Sequence, residues 1–279
     1  MSPTQTIAIF PPSSYLFLPN SDSKYPIKDV NVQDERLDET PEELVDKALD
    51  RLQMAGVQLI EWGTLLFRRM GVPVILTHYH YLVPDDELQG ASEILSGMGL
   101  PLSPPAPILV KSSGDFFSKG HLHRLTRSTS LGLVQYLILL PLSFASYTSS
   151  ELDLLPRITS LPSPTSQTIL VPQPTAVYAS ILRAMAAYPR WSPTRQTLES
   201  NLSELIGYHL YDLQEGYVDI DDEELCQTLE VDRRVKDAVQ VVKSWGWAGK
   251  WREGEEWMGD AFAAVVEGTG EIEALPWAS

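Results

Sequence analysis

The sequence predicts an α/β protein of the α+β kind, in which a mixed-sheet domain precedes a helical domain. Short runs rich in β-branched and aromatic residues alternate with helical patterns in the first part of the chain. Beyond Pro174, apolar residues recur at helical spacing instead. The 279 residues, 43% of them hydrophobic, are enough to bury a substantial core. We therefore expect an N-terminal arm over residues 1–40, the mixed domain over residues 41–171 and the helical domain over residues 172–279.

The mixed domain opens with a well-marked helix start. Thr40 precedes Pro41 and is followed three residues later by Glu43, the pattern of a capping box with proline at the first helical position. Residues 57–61 then read as a short strand, and a Trp-Gly turn leads into a short helix. Residues 72–83 form a long β-rich run, which Pro84 ends before the next helix.

The rest of the mixed domain predicts further short strands. We expect strands over residues 108–110, 121–127 and 131–140, and another at 168–171. Residues 111–120 are polar and contain glycine, which is typical of a flexible loop. The Ser- and Pro-rich residues 148–167 predict an extended loop. The helices beyond these elements bear apolar stripes and four closely spaced tryptophans, which favour packing over ligand binding.

Four of the five histidines occur as two His-x-His pairs, His78 with His80 and His121 with His123. Alternate residues of a strand point to one face, so each pair would present two imidazoles side by side. Imidazole titrates near neutral pH and is a common metal ligand. If the two strands lie in one sheet, four imidazoles converge and form a catalytic site, or alternatively a Zn or Fe site. An ordinary hydrogen-bonding role for each ring is the structural alternative.

Charge and cysteine content restrict the class of protein. Lys and Arg total 21 against 37 Asp and Glu, and the resulting formal charge of −16 disfavours a nucleic-acid backbone as partner. The one cysteine, Cys226, cannot form an intramolecular disulfide, which fits a reducing compartment. No apolar run reaches the ~20 residues that span a bilayer. We expect a cytoplasmic protein that binds a small molecule, with neither nucleic acid nor membrane as partner; composition does not indicate the oligomeric state.

The segment AGVQLIEWGTLLFRRMGVPVILTHYHYLVPDDEL, residues 55–88, resembles the core of the nucleotidyltransferase fold. It is most similar to nucleotidyltransferase-like proteins of filamentous fungi. In that superfamily a glycine turn holds the triphosphate, and an Asp-x-Asp pair on the next strand holds divalent metal. The resemblance implies that Gly63, followed by Thr64, is the turn, and that His78 and His80 stand at the Asp-x-Asp positions.

The exchange of carboxylates for imidazoles changes the chemistry that the resemblance implies. Mg²⁺ prefers oxygen ligands, whereas neutral imidazoles suit softer metals such as Zn²⁺ or Fe. The pair at residues 78 and 80 would not supply the charge that holds Mg²⁺ against a triphosphate. The resemblance implies further that the later strand, with His121 and His123, neighbours the same cleft.

Several other residues are candidates for substrate contact. Arg68, on the short helix after the turn, could guide an anionic substrate, and Tyr178 and Arg183 on the first C-terminal helix could line the cleft. Three carboxylates could support residual nucleotidyl transfer: Asp85, Asp86 and Asp115. The first two are more simply explained by the helix that begins beside them.

The combined interpretation is a nucleotidyltransferase-like protein that has lost its metal site and been repurposed. We expect an enzyme of secondary metabolism that needs no cofactor and uses histidine acid–base chemistry for cyclisation, isomerisation, elimination or hydrolysis. The alternatives are a histidine-coordinated Zn or Fe enzyme, a non-catalytic binding or scaffold protein, and a residual nucleotidyltransferase.

Overall fold

The structure is a computed structural model that describes residues 37, 39–159, 167–214, 221–276 and 278. The N-terminal arm expected over residues 1–40 therefore lies almost wholly outside the described residues. The prediction of a mixed α/β protein is confirmed, because the described residues combine a mixed sheet with many helices.

The described strands form one seven-stranded sheet in the order β3-β4-β5-β2-β1-β7-β6. Strand β2 runs parallel to β5 and β1 parallel to β7, while the other pairings are antiparallel. The strands are β1 Ile60–Trp62, β2 Tyr79–Val83, β3 Leu102–Ser103, β4 His121–Arg124, β5 Tyr136–Pro141, β6 Leu152–Pro156 and β7 Thr168–Pro172.

Helices lie between the strands and make up the rest of the fold beyond β7. Those of the first part are α1 Pro41–Met54, α2 Thr64–Arg69, α3 Leu88–Gly97, α4 Pro107–Ser113 and α5 Asp115–Ser118. Those after the sheet are α6 Pro174–Ala187, α7 Pro193–Leu205, α8 Glu223–Thr228, α9 Val231–Trp247 and α10 Glu256–Glu267, with a π-helical turn at Ile206–Leu210.

The start of α1 confirms the predicted capping box. The main-chain N–H of Glu43 donates to Oγ1 of Thr40 at 3.3 Å, and the N–H of Thr40 donates to Oε2 of Glu43 at 3.1 Å. Two N–H groups that the first turn leaves without helical partners are thereby satisfied. Pro41 occupies the first helical position, where its missing N–H costs nothing.

The pairing register defines two faces of the sheet, because laterally paired residues point to the same side. Trp62 pairs with His80, and His80 with Ile138; these residues define the front face. Tyr81 pairs with Leu139, and these residues define the back face. Helix α3 packs against the back of β4 and β5. Helix α5 lies on the front.

Three local predictions are wrong. Residues 108–110 belong to α4 rather than to a strand, because Pro107 starts a helix and a three-residue apolar run has no period that separates the two structures. Residues 148–167 hold β6, which forms a hairpin with β7. The expected loop at residues 111–120 instead contains the end of α4 and the whole of α5.

The helical part has an aromatic core of its own. Tyr178 packs against Trp245 and Phe262, with ring centroids 5.3 and 5.0 Å away. Arg195, fully buried, donates to the carbonyl oxygens of Leu275 and Pro276, which attaches the last described residues to α7. Of the five described tryptophans in this half, Trp251 is buried and Trp245 is half-buried, whereas three are exposed: Trp191, Trp247 and Trp257. The predicted packing role therefore holds for two of the five.

Candidate functional site

The two histidine pairs lie on opposite faces of the sheet. His80 pairs with Ile138, which pairs with Leu122, so His80 shares the front face with Leu122. The neighbours of Leu122 on β4, His121 and His123, therefore point to the back. The expected convergence of four imidazoles, for catalysis or for Zn or Fe, is corrected by this register: only His78 and His80 lie on the front.

Within the back-face pair, His123 is explained by packing. His123 is fully buried, with Nε2 2.9 Å from Oγ of Ser92 and Nδ1 3.0 Å from the carbonyl oxygen of Leu100. Both ring nitrogens thus have protein partners, as a buried imidazole requires. His121 points to the same side two residues earlier on β4. The assignment of His121 and His123 to a front-face site is therefore abandoned.

His78 lies one residue before β2 and is half-buried. Its Nδ1 accepts a hydrogen bond from the main-chain N–H of Tyr136 at 3.3 Å. Because that main-chain group can only donate, the neutral ring carries its proton on Nε2. Phe117 of α5 meets the ring edge-on at 5.5 Å between centroids. His78 therefore presents an N–H donor whose tautomer the neighbouring strand selects.

His80 lies deeper on the same face, with its ring centroid 6.4 Å from that of His78 and 6.0 Å from that of Trp62. Its Nδ1 is buried without a hydrogen-bond partner. The ring packs onto Gly63, where an added Cβ would approach Nδ1 to 3.1 Å. Gly63 also has φ +64, which favours glycine. The predicted turn glycine is thus required both by its backbone and by the imidazole beside it.

Burial keeps both front-face imidazoles neutral over most of the pH range. Desolvation lowers the pKa of His78 to about 4. Desolvation, together with the charge that His78 would carry, lowers the pKa of His80 to about 3. At neutral pH the pair can therefore donate and accept hydrogen bonds but does not supply an imidazolium ion.

The glycine turn is followed by the short helix α2. Thr64 is its first residue and is half-buried. Arg68, on the same helix, is exposed and donates from Nη2 to the carbonyl oxygen of Val74 at 3.2 Å. The structure thus places Thr64 directly after the glycine that contacts His80. It gives Arg68 a role in holding the segment that leads to β2.

The two candidates on α6 are engaged in structural interactions. The Tyr178 hydroxyl donates to the carbonyl oxygen of Leu205 at 3.1 Å and lies 2.9 Å from Nδ1 of His209. Arg183 pairs with Glu255 at 2.8 Å and with Glu151 at 3.0 Å. These bonds hold α6 to the segments before β6 and α10. They replace the substrate contacts that the sequence suggested.

The candidate carboxylates also have structural roles. Asp85 accepts the main-chain N–H of Ser143 at 2.9 Å. Asp115 accepts from the Tyr188 hydroxyl at 2.8 Å and pairs with Lys119 at 3.1 Å. Asp86 is exposed.

Carboxylates are missing from the front of the described strands. The acidic residues within these strands, Glu61 and Asp153, fall on the back face by their register. Over the described ranges, no three His, Cys, Asp or Glu side chains come together in a way that could hold a metal ion.

Three front-face residues escaped the sequence analysis. Tyr136 pairs with Arg124 across β5 and β4 and contacts His78, and Phe117 packs on the same imidazole. Tyr136 lay in a predicted strand, but which residue it would face depends on a register that alternation alone does not specify. In the sequence, Gly114 followed by the acidic Asp115 was the available sign of a helix start that would place Phe117 in a structured segment.

Comparison with known proteins supplies no family: the chain matches no family model, no curated protein and no solved structure. No helix in the described part of the chain is both long enough and apolar enough to cross a membrane.

Proposed function

We propose that this protein is an enzyme acting on a small organic molecule, and that His78 is the residue that donates a hydrogen bond to the reacting group, with His80 behind it. The single observation that carries the proposal is the front-face pair itself: two adjacent imidazoles, one half-buried, on a sheet face whose strands carry no acidic side chain within the described ranges. The sequence resemblance to nucleotidyltransferases, which implies an Asp-x-Asp pair at these positions, supports the proposal that the face is a functional site.

The chemistry that fits is hydrogen-bond stabilisation of negative charge by a neutral group. Nε2–H of His78 can donate a hydrogen bond to a substrate carbonyl or to an oxyanion that forms during reaction. A neutral imidazole suits that task because its N–H donates without prior protonation of the ring. Isomerisation, cyclisation, elimination and hydrolysis all pass through such charge development, so these remain the proposed reaction classes.

The absence of acidic groups in the front-face strands argues against nucleotidyl transfer. Magnesium bound to a triphosphate requires oxygen ligands, and the described carboxylates Asp85 and Asp115 are engaged elsewhere. The proposed function therefore does not include the metal-dependent reaction that the resemblance to nucleotidyltransferases implies.

A second candidate is a non-catalytic binding protein. The low pKa of His80 favours it, because a ring that stays neutral to about pH 3 makes hydrogen bonds more readily than it accepts protons. Under this alternative the same face binds a small molecule, and nothing is turned over.

Profiling of a small-molecule extract incubated with the protein tests the proposal. Wild-type protein should convert at least one compound to a product of equal mass or of mass changed by one water. The variant His78→Gln should leave that compound unconverted, whereas His121→Gln, on the back face, should act like the wild type. Equal profiles for wild type and His78→Gln overturn the proposal, and enrichment of an unconverted compound supports the binding alternative.

A further inference from the structure

The front face carries a row of three functional side chains from neighbouring strands. Arg124 of β4 pairs with Tyr136 of β5. Tyr79 pairs with Leu137 in parallel register, so His78 lies beside Tyr136, and their ring centroids are 5.4 Å apart. Paired residues share a face, and neighbouring strands lie ~4.8 Å apart. A guanidinium, a phenol and an imidazole therefore stand side by side.

From this row we propose that the substrate is a small organic monoanion, a carboxylate with an apolar body, and that Arg124 binds its charge. The inference rests on the proposed function, because it names the substrate class of the same site. A half-buried guanidinium holds a carboxylate through two parallel hydrogen bonds. Arg124 is thus a specificity-determining residue, while His78 acts on the reacting part of the molecule.

The electrostatics of the row favour an anion. Burial raises the pKa of the Tyr136 phenol, and the positive charge of Arg124 opposes that shift. The neutral hydroxyl can then donate to the same carboxylate. A phosphate dianion fits less well, because burying two charges beside one guanidinium leaves part of the desolvation cost uncompensated.

The surroundings of the row favour an apolar body. Phe117 packs on the His78 ring from the side of α5. Ile75 precedes β2 and Leu133 precedes β5, each by three or four residues. Because β2 and β5 are parallel, both side chains lie at the end of the sheet where the strands begin, which is the end that holds His78 and Tyr136. They are 84% and 68% exposed. Apolar side chains left open at this end would contact the body of the substrate.

The test compares a charged probe with its neutral analogue. Binding of 3-phenylpropionate and of 3-phenylpropanamide is measured at pH 7 by ligand-observed NMR, with phenyl phosphate as a third probe. For wild-type protein we expect the carboxylate to bind about tenfold more tightly than the amide, and more tightly than the phosphate. Arg124→Gln should abolish the preference for the carboxylate, and Arg124→Lys should retain part of it.

Two further variants keep the test decisive. Tyr136→Phe removes only the hydroxyl and should weaken carboxylate binding several-fold, so it serves if Arg124→Gln is poorly folded. Arg233→Gln, exposed on α9, should leave binding unchanged. The inference is overturned if neither probe binds, if wild type does not prefer the carboxylate, or if Arg124→Gln keeps the preference.

Failure of this inference is distinguishable from failure of the proposed function. If the protein converts a neutral compound in a His78-dependent way, the function stands and the monoanion is wrong. If the carboxylate binds in an Arg124-dependent way but His78→Gln leaves the metabolite profile unchanged, the binding assignment stands and the catalytic role fails.

Discussion

Nδ1 of His78 accepts the main-chain N–H of Tyr136 at 3.3 Å, which joins the segment before β2 to the first residue of β5. This bond selects the ring tautomer and aims Nε2–H away from the β5 backbone. It also identifies Tyr136, rather than His121 or His123, as the neighbour of the front-face imidazoles. The functional account depends on this relationship more than on the number of histidines.

We expect stability to fall as pH is lowered from about 6.5 to 4. Both front-face imidazoles have pKa values lowered by burial, so in this window the unfolded chain binds protons that the folded chain does not. Each unit of pKa difference corresponds to ~1.4 kcal/mol. Urea unfolding should show a loss of about 2 kcal/mol or more, and a smaller loss for the variant His78→Gln/His80→Gln. Parallel pH curves for the two proteins would refute neutral burial.

Gly63→Ala should destabilise the protein more than Gly56→Ala. Both glycines have positive φ, +64 and +81, a range that L side chains rarely adopt, so each substitution costs at least about 1 kcal/mol in backbone strain. The alanine Cβ at Gly63 also meets the His80 ring at 3.1 to 3.2 Å, whereas at Gly56 nothing lies within 4 Å. Urea unfolding should therefore give a larger loss at Gly63, and equal losses would contradict the close packing of His80.

Ser92→Ala should cost about 1–3 kcal/mol, because it removes the partner of a buried His123 nitrogen. Ser96→Ala, four residues later on α3 and exposed, should change stability by less than about 0.5 kcal/mol. Thermal or urea unfolding measures both. A negligible effect at Ser92 would show that His123 does not depend on this hydrogen bond.

Arg183→Met should destabilise the protein by about 2 kcal/mol, because it leaves the half-buried Glu255 without its cationic partner. Arg233→Met breaks an exposed pair with Glu230 and should cost less than about 1 kcal/mol. Urea unfolding compares the two variants. If Arg183→Met unfolds like the wild type, the network with Glu151 and Glu255 is not the structural tie between α6 and its neighbours.

Local patterns predicted much of the fold. The helix start at Thr40 and the glycine at Gly63 follow from backbone requirements that neighbouring residues impose. The two histidine strands were also identified, although both are shorter than predicted: residues 72–78 lie outside β2, and β4 ends at Arg124. The mixed sheet then followed from several such runs.

The arrangement of the site was not predictable from alternation. Within one strand, the alternation of side chains shows which residues share a face. Between strands, the residues that share a face depend on the pairing register. His80 is lateral to Leu122, and a shift of one residue would have placed it beside His121 instead. Tyr136 and Arg124 became neighbours of His78 through the same register. Only the three-dimensional pairing could therefore separate the two histidine pairs.

A crystallographic soak with small carboxylic acids shows whether the front face binds substrate. We expect electron density for an acid on the front face, with one polar atom within hydrogen-bond distance of Nε2 of His78 and its apolar part beside Phe117. Electron density for the acids at other places in every soak, with none beside the His78 ring, would contradict the assignment of this face as the functional site.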